Sequence, residues 1–507
     1  MSYKDLREFL EQVDKIGELT RLDGVDWDLE VGEVARVAPN TVLMDNFPGY
    51  PPGYRVVVKM GGSQSQFFLA TNWSTDARGL ELTKAWKDRL KEFKPISPRW
   101  VTDGPIMENV STGEDINLLK FPVPKWHDAD GGRYIGTQDM IILRDPETGR
   151  INCGTYRMQL YDKNTVALYM SEGKDGNMIR EKYFRQGKPC PVVAVFGMDP
   201  ALTMCALSRI THEDGKSELD FAGWLKGMPE EVIRGQFTGL PIPANAEIAI
   251  EGEITAGDTR MEGPFGEAGG YSEPRALPVV RVKTLYHRNA PIITGTAPLY
   301  SPPGRGELHQ DFFRATALIW DQLEKAGVRE IKGVSCYYGN RLTVISIRNC
   351  YAGHSRQAGL IASACHTGSY QGSWVIVVDD DIDPTCLNDV LWAVLTRADP
   401  KRAIQVLDYL WSSHMSLIDP SRPFIKAEYP LMPEKATYRS GVVVDACIPV
   451  EWDHSWHRII THTQELEDRV RDKYGQTLFM KGSRQPVSAR SSRESGITKQ
   501  IGGADLS

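Results

Sequence analysis

The feature that most constrains this 507-residue sequence is the stretch from Thr102 to Pro298, where short apolar runs alternate with turn-forming residues. Met140-Ile141-Ile142-Leu143 and the run from Ile151 to Leu160 flank Asp145-Pro146-Glu147-Thr148-Gly149, which has proline and glycine where a hairpin turn wants them. Asp162-Lys163-Asn164 marks a second turn, leading into Val166-Ala167-Leu168-Tyr169-Met170. Pro191 to Phe196, Ile248 to Ile254 and Val279 to Tyr286 continue the series. Repeated antiparallel strands with helical inserts predict a barrel or sandwich. No G-x-G-x-x-G opens a helix, which argues against a nicotinamide-binding Rossmann domain.

The flanks read differently. Leu6, Phe9, Leu10 and Val13 recur at helical spacing until Gly17, after a Ser2/Asp5 capping pair. Tyr54 to Lys59 and Gln66-Phe67-Phe68-Leu69-Ala70 read as short strands, and Leu80 to Phe93 as an amphipathic helix. Ser301-Pro302-Pro303-Gly304-Arg305-Gly306 marks a boundary before a helix from about Glu307 to Ala326. The texture then becomes βαβ: Leu342 to Ile347, a helix after His354, and Trp374 to Val378, whose unbroken apolar run suits a strand buried on both faces. The acids Asp379, Asp380, Asp381 and Asp383 read as the exposed end of that strand capping the next helix, with a cation site as the alternative. After about Arg484 the Ser-, Arg- and Gly-rich tail reads as irregular.

The charge balance, 59 basic against 66 acidic residues, gives no electrostatic case for nucleic acid or an anionic membrane. No apolar run approaches the ~20 residues of a membrane span, and Met1-Ser2-Tyr3-Lys4-Asp5 is not a signal peptide. Eight cysteines without a C-x-x-C pair argue against a zinc ribbon or a disulfide framework, so a reduced, cytoplasmic protein is expected.

Two stretches carry candidate chemistry. Arg260-Met261-Glu262-Gly263-Pro264-Phe265-Gly266-Glu267-Ala268-Gly269-Gly270-Tyr271 presents two carboxylates from what reads as an irregular loop, since glycine and proline there exclude a helix. Neighbouring acids shift each other's pKa, so one can stay protonated; the alternative is a polar turn with two solvated glutamates. Asn152 and Arg157 lie an odd number of residues apart and would face opposite ways in a regular strand. For both to serve one site the strand must bulge or end, and Gly154 is the natural place. Ser217-Glu218-Leu219-Asp220-Phe221-Ala222-Gly223 places an acid at the start of a helix-like run, where it also suits the macrodipole. His454, His457 and His462 read as a helix segment rather than a zinc site, and His354 as a structural hydrogen-bonding residue.

Together, Asn152-Cys153-Gly154-Thr155-Tyr156-Arg157-Met158-Gln159, Ser217 to Gly223, and Glu262 to Glu267 resemble the UbiD-type decarboxylase family, which uses prenylated FMN. Tyr351-Ala352-Gly353-His354-Ser355-Arg356-Gln357 and Val377 to Asp383 extend the likeness in the family's order and spacing. The resemblance implies an α+β chain divided into an N-terminal α/β segment (1–100), a split β-barrel flavin-binding domain (101–306), a linking helix (307–328), a C-terminal α/β oligomerisation domain (329–480) and a tail (481–507). It implies reversible, non-oxidative decarboxylation of an aromatic, heteroaromatic or α,β-unsaturated acid, with the modified flavin as covalent electron sink. It also implies a catalytic set of Arg157, Glu262 and Glu267, with Glu267 as proton donor. Asn152 and Glu218 correspond to ligands of a divalent metal, usually Mn2+, with K+ as an optional addition. Thr155, Tyr156, Arg157, Tyr169, Met170, Ser171, Lys174 and Asp175 fall where the family contacts the cofactor, and Arg439 and Lys435 are candidates for its phosphate. Where many members have a further metal-binding histidine this chain has Gly173, leaving Glu172 or water as substitutes. Implied partners are the carboxylic acid, a flavin prenyltransferase as cofactor supplier, and further copies of the chain in a dimer or hexamer. Two rivals remain: a paired-carboxylate hydrolase, which leaves Asn152 and Glu218 unexplained, and a flavin-binding subunit of a multi-subunit carboxylase.

Overall fold

The structure is a computed structural model, and it describes residues 3–208, 216–267, 270–296, 315–370, 372–411, 438–452 and 463–478. The chain divides into two units, Met1–Val450 and Glu451–Ser507. In the second, the described element is the helix Gln464–Leu478. The Ser301–Gly306 boundary, Lys435, His454, His457, His462 and the tail lie outside the described residues. Among the described residues no helix is long and apolar enough to cross a membrane.

The fold is α+β, and its centre among the described residues is a nine-stranded sheet. Its order is Arg133–Gly136, Met158–Leu160, Thr165–Leu168, Arg275–His287, Ile248–Glu262, Cys190–Phe196, Met140–Arg144, Ile151–Gly154, with Asn109–Thr112 also pairing along Arg275–His287. All its pairings are antiparallel. The central strands read as apolar runs because both faces are buried. Ile141, Leu143, Val192, Ala194, Ile248 and Ile250 enter one core, while Met140, Ile142, Val193, Val195 and Ala249 enter a second with Trp86, Phe221 and Trp224.

The strand order and the short connections together force this sheet to curl. Residues 137–139 join the first strand of the order to the seventh, and residues 155–157 join the eighth to the second. Each connection crosses six inter-strand gaps, roughly 29 Å if the sheet were flat, yet four Cα steps reach at most about 14 Å. The sheet therefore bends until its two ends approach each other, as a split barrel does. The two short connections cross the seam side by side.

Smaller layers flank the barrel. Leu19–Asp23, Thr41–Asp45, Arg55–Val58 and Ile292–Gly295 form a four-stranded sheet, so the barrel's own chain returns to pair with the N-terminal segment. Ala317–Lys325 is helical and leads into a five-stranded sheet ordered Ile331–Tyr337, Leu342–Ile347, Trp374–Asp379, Tyr438–Ala446, Ile404–Trp411. Leu342–Ile347 and Trp374–Asp379 pair in parallel across the helix His354–Ala364, the βαβ unit expected there.

Two local expectations are overturned. Gln66–Ala70 lies in an α-helix, Gln64–Thr71, rather than a strand. A five-residue apolar run is ambiguous by periodicity. Here Ser63 caps the helix by accepting from the Gln66 N–H at 3.0 Å, Asn72 closes it in the left-handed region, and Phe67, Ala70 and Thr71 share the buried face. The acids after Val378 do not cap the helix Leu387–Arg397; Asp379 and Asp381 both bind Arg397, and Asp379 also accepts from the Ile448 N–H at 2.7 Å. His354 makes the structural hydrogen bond anticipated for it, Nε2 to the Arg329 carbonyl at 3.0 Å.

Ser63→Ala removes the cap that settles helix against strand, and should lower stability by about 1 kcal/mol. The measurement is the shift of the denaturant midpoint at unchanged slope.

Candidate active site

The run from Ile151 to Leu160 does not continue as one strand. It pairs with Met140–Arg144 as far as Gly154, breaks, and resumes at Met158 against Thr165–Leu168. Gly154 is where the break was expected, and a Cβ there would lie 2.8 Å from the Tyr156 ring. The break frees Arg157 from the alternation of a strand. Its guanidinium lies over the rings of Tyr169 and Phe265, 4.7 and 4.9 Å from their centroids.

Arg157 is where the two carboxylates meet. Its Nε and Nη2 each donate to Glu262 at 2.8 Å, and its Nη1 donates to Glu267. The expectation that both acids sit on an irregular loop is corrected. Glu262 ends the 15-residue strand Ile248–Glu262, and Glu267 belongs to a two-residue strand paired with Gly270–Tyr271. Only the turn between them, Gly263 to Phe265, is irregular. Side-chain exposure is 8% for Arg157, 1% for Glu262 and 8% for Glu267, so the polar turn with solvated glutamates is also set aside.

One buried guanidinium contacts both buried carboxylates, and Arg275 adds a second positive influence on Glu267. Burial raises the Glu267 pKa; Arg157 opposes this and Glu262 reinforces it, leaving Glu267 above its ordinary value. Burial works against the Arg157 charge, but Glu267 and Glu262 more than offset it and raise its pKa. Tyr134 donates its hydroxyl to Glu262 at 2.9 Å, and burial together with the Glu262 charge raises the Tyr134 pKa. The arrangement presents a carboxyl group whose pKa is raised, beside a guanidinium fixed by a second acid.

Several positioning groups had no motif to reveal them. Asp130 accepts the Gly266 N–H at 2.8 Å and the His127 N–H at 2.9 Å, and the His127 ring lies where a Cβ on Gly266 would fall. Gly131 donates to the Pro264 carbonyl at 2.7 Å. Gln159, in the same segment as Arg157, accepts from the Gly263 N–H at 3.1 Å and donates to the Gly131 carbonyl at 3.1 Å. Residues 127–131 thus clasp the turn that carries Glu267. The available signal was the polar, glycine-ended run His127-Asp128-Ala129-Asp130-Gly131-Gly132 between apolar segments.

The remaining predicted residues line the adjoining segments. Asn152 and Glu218 are both buried, and Glu218 Oε2 accepts the N–H of Cys153, the residue next to Asn152, at 2.8 Å. Glu218 opens the helix Glu218–Lys226, held by a Ser217/Asp220 capping box. Two hard oxygen donors are the ligand type a divalent cation takes. Among the described residues, however, no group of three His, Cys, Asp or Glu side chains comes together to complete a shell.

Thr155 donates its hydroxyl to the Asp139 carbonyl at 2.9 Å, and the Tyr156 hydroxyl accepts the Gly176 N–H at 3.0 Å, so the Tyr156 ring is buried under the crossing. The Tyr169 N–H donates to the Arg157 carbonyl at 2.9 Å, and burial pushes the Tyr169 hydroxyl up to about 12. Met170 and Ser171 are buried, Lys174 lies 3.7 Å from the Tyr370 ring centroid, and Asp175 pairs with Arg150 at 2.7 Å. Arg439 donates to Ser373 at 2.6 Å.

Comparison with known proteins matches this architecture. The profile described as the 3-octaprenyl-4-hydroxybenzoate carboxy-lyase Rift-related domain covers residues 99–301, and that of the C-terminal domain of the same carboxy-lyase covers residues 313–448. The two span more than half of the chain. It belongs to the UbiD family.

UbiD relatives match along almost their whole length. The chain is 30% identical to a phenolic acid decarboxylase of Bacillus subtilis over 89% of this chain and 98% of that protein. It is 33% identical to a pyrrole-2-carboxylic acid decarboxylase of Pseudomonas aeruginosa over 78% and 83%. Among solved structures, the UbiD-class enzyme HmfF of Pelotomaculum thermopropionicum in complex with FMN superposes with a TM-score of 0.75 at 26% identity, covering 92% of this chain and 98% of that one. The closed form of vanillic acid decarboxylase from Sedimentibacter hydroxybenzoicus gives 0.79 at 25% identity, covering 93% and 99%. The chain is a carboxy-lyase of this UbiD type.

The structure accounts for the glycine at position 173. Gly173 has φ +78°, and a Cβ there would lie 2.5 Å from Nε1 of Trp411. Gly173→His should cost roughly 1–3 kcal/mol from backbone strain and the indole contact. It should also leave Mn2+ affinity no higher than in the parent. Thermal unfolding and a Mn2+ titration followed by electron paramagnetic resonance check the two outcomes.

Proposed function

We propose that this chain decarboxylates an aromatic or heteroaromatic carboxylic acid with prenylated FMN bound at the barrel seam, and that Glu267 is the proton donor. The observation that carries this is the sharing of one buried guanidinium, Arg157, between Glu262 and Glu267. The substrate class follows the phenolic and pyrrole-carboxylic relatives, and the flavin follows the FMN and prenylated-FMN complexes of HmfF.

When bound, the modified flavin supplies the electron sink for loss of CO2. Glu262, itself held by Tyr134, fixes Arg157, which orients the substrate carboxylate, while burial and the Glu262 charge keep the Glu267 pKa raised against the pull of Arg157. As CO2 leaves, Glu267 transfers its carboxyl proton to the carbon that bore the carboxylate, and is recharged from solvent before the next turnover. Thr155, Tyr156, Tyr169, Met170, Ser171, Lys174 and Asp175 would border the cofactor. Asn152 and Glu218 would hold a divalent cation, Mn2+ by family precedent, against its phosphate. A flavin prenyltransferase as supplier and assembly into homo-oligomers complete the reading.

The test is production of the protein beside a flavin prenyltransferase, an absorption spectrum of the purified protein, and a screen of aromatic acids for CO2 release. Full activity with unmodified FMN alone would overturn the cofactor assignment. Glu267→Gln cannot donate an acidic proton and should lower kcat by about 10²–10⁴-fold with flavin still bound. Wild-type turnover in that variant removes Glu267 from the role.

The pH dependence follows from the same carboxyl. Because the Glu267 pKa is raised in the folded protein, the proton-donating form persists above the ordinary carboxylate range, and activity should fall as pH rises through that raised value. Arg157→Lys, which loses the paired bonds to Glu262 and weakens the opposition to burial, should move this alkaline limb to higher pH. A kcat–pH profile of the two proteins measures the shift.

A further inference from the structure

The two connections that cross the barrel seam are stitched together by a residue with no role so far. Asp139 ends the 137–139 crossing. Its Oδ1 accepts the Tyr156 N–H at 3.2 Å, and its backbone carbonyl accepts the Thr155 hydroxyl at 2.9 Å. Tyr156 sits in the break between two strands, where the sheet offers its amide no ladder partner. A buried amide without an acceptor is costly, and the Asp139 carboxyl fills that need. The next residue along the crossing is Arg157.

The Asp139 side chain is built into the seam rather than left on it. It is 0% exposed, and among the described residues it pairs with no Lys, Arg or His. Among the described residues its Oδ2 has no hydrogen-bond partner. That oxygen lies over the backbone of Gly136, where a Cβ would come within 2.4 Å of it. Burial raises the Asp139 pKa well above the usual carboxylate value, against the Tyr156 N–H bond. A carboxyl group with no cation at hand is cheapest as the neutral acid, for which asparagine is nearly isosteric.

We propose that Asp139 is a positioning residue for Arg157. Its carboxyl supplies the acceptor that the interrupted sheet lacks at Tyr156, and so fixes the crossing from which Arg157 reaches Glu262 and Glu267. The proposal rests on the role given to Arg157 above, but its geometry is tested without catalysis.

The experiment combines amide hydrogen exchange with steady-state kinetics on the holoenzyme, for the parent, Asp139→Asn and Asp139→Ala. In the parent the Tyr156 amide should be protected. In Asp139→Ala its exchange should accelerate by about fivefold to tenfold, the loss of one hydrogen bond. Displacement of Arg157 should then lower kcat by about tenfold to a hundredfold with KM and FMN affinity little changed. Asp139→Asn keeps the acceptor and should restore both protection and turnover.

An unprotected Tyr156 amide in the parent overturns the proposal whether or not the alanine variant folds. So does loss of turnover in Asp139→Asn equal to that in Asp139→Ala, or parental turnover in Asp139→Ala. If the exchange results are as expected but the parent decarboxylates nothing, the proposed function fails and the stitching of the seam stands.

Discussion

The site depends on one buried cation being shared between two carboxylates. Arg157 satisfies Glu262 through two parallel bonds and reaches Glu267 with its remaining nitrogen. Burial and the Glu262 charge push the Glu267 pKa up, against the pull of Arg157 and Arg275. Around this triad the structure provides stiffness: Tyr134 on Glu262, Asp130 on the backbone of Gly266, and the rings of Tyr169 and Phe265 beneath the guanidinium. None of these groups carries the chemistry alone. Together they fix how Arg157 and the two acids face one another.

The curled sheet is what makes the triad possible. Arg157 leaves the sheet at a three-residue crossing, whereas Glu262 and Glu267 arrive from the end of a long strand and the short turn beyond it. Along the sheet, Thr165–Leu168 and Arg275–His287 lie between Met158–Leu160 and Ile248–Glu262, and curling brings the Glu262 end of the long strand across to Arg157. The seam is also where backbone amides lose their ladder partners, so side chains such as Asp139 and Gln159 take over as acceptors. The same break that frees Arg157 creates the need for buried polar groups nearby.

The hairpin turn at Asp145–Gly149 and the strand break at Gly154 were legible because proline, glycine and odd spacing have local consequences. The Leu342–Ile347 strand and the helix at His354 were legible from apolar periodicity. Gln66–Ala70 was misread because its five residues fit either period, and the decision came from the Ser63 cap and from packing against Trp73 and Trp86. The two glutamates were found by their spacing but misplaced on a loop, because strand length depends on a partner, Arg275–His287, that a local reading does not supply.

By itself, the sequence determined the order of elements, the sites of turns and breaks, and the residue types able to act as acid, guanidinium and oxygen donor, since these follow from chain-local sterics and chemistry. Only the tertiary structure decided that Arg157 faces both acids, that Asp130, Tyr134 and Asp139 support them, and that Trp411 occupies the space beside Gly173. These contacts join segments up to hundreds of residues apart, and their energies depend on burial and distance, which exist only once the sheet has curled.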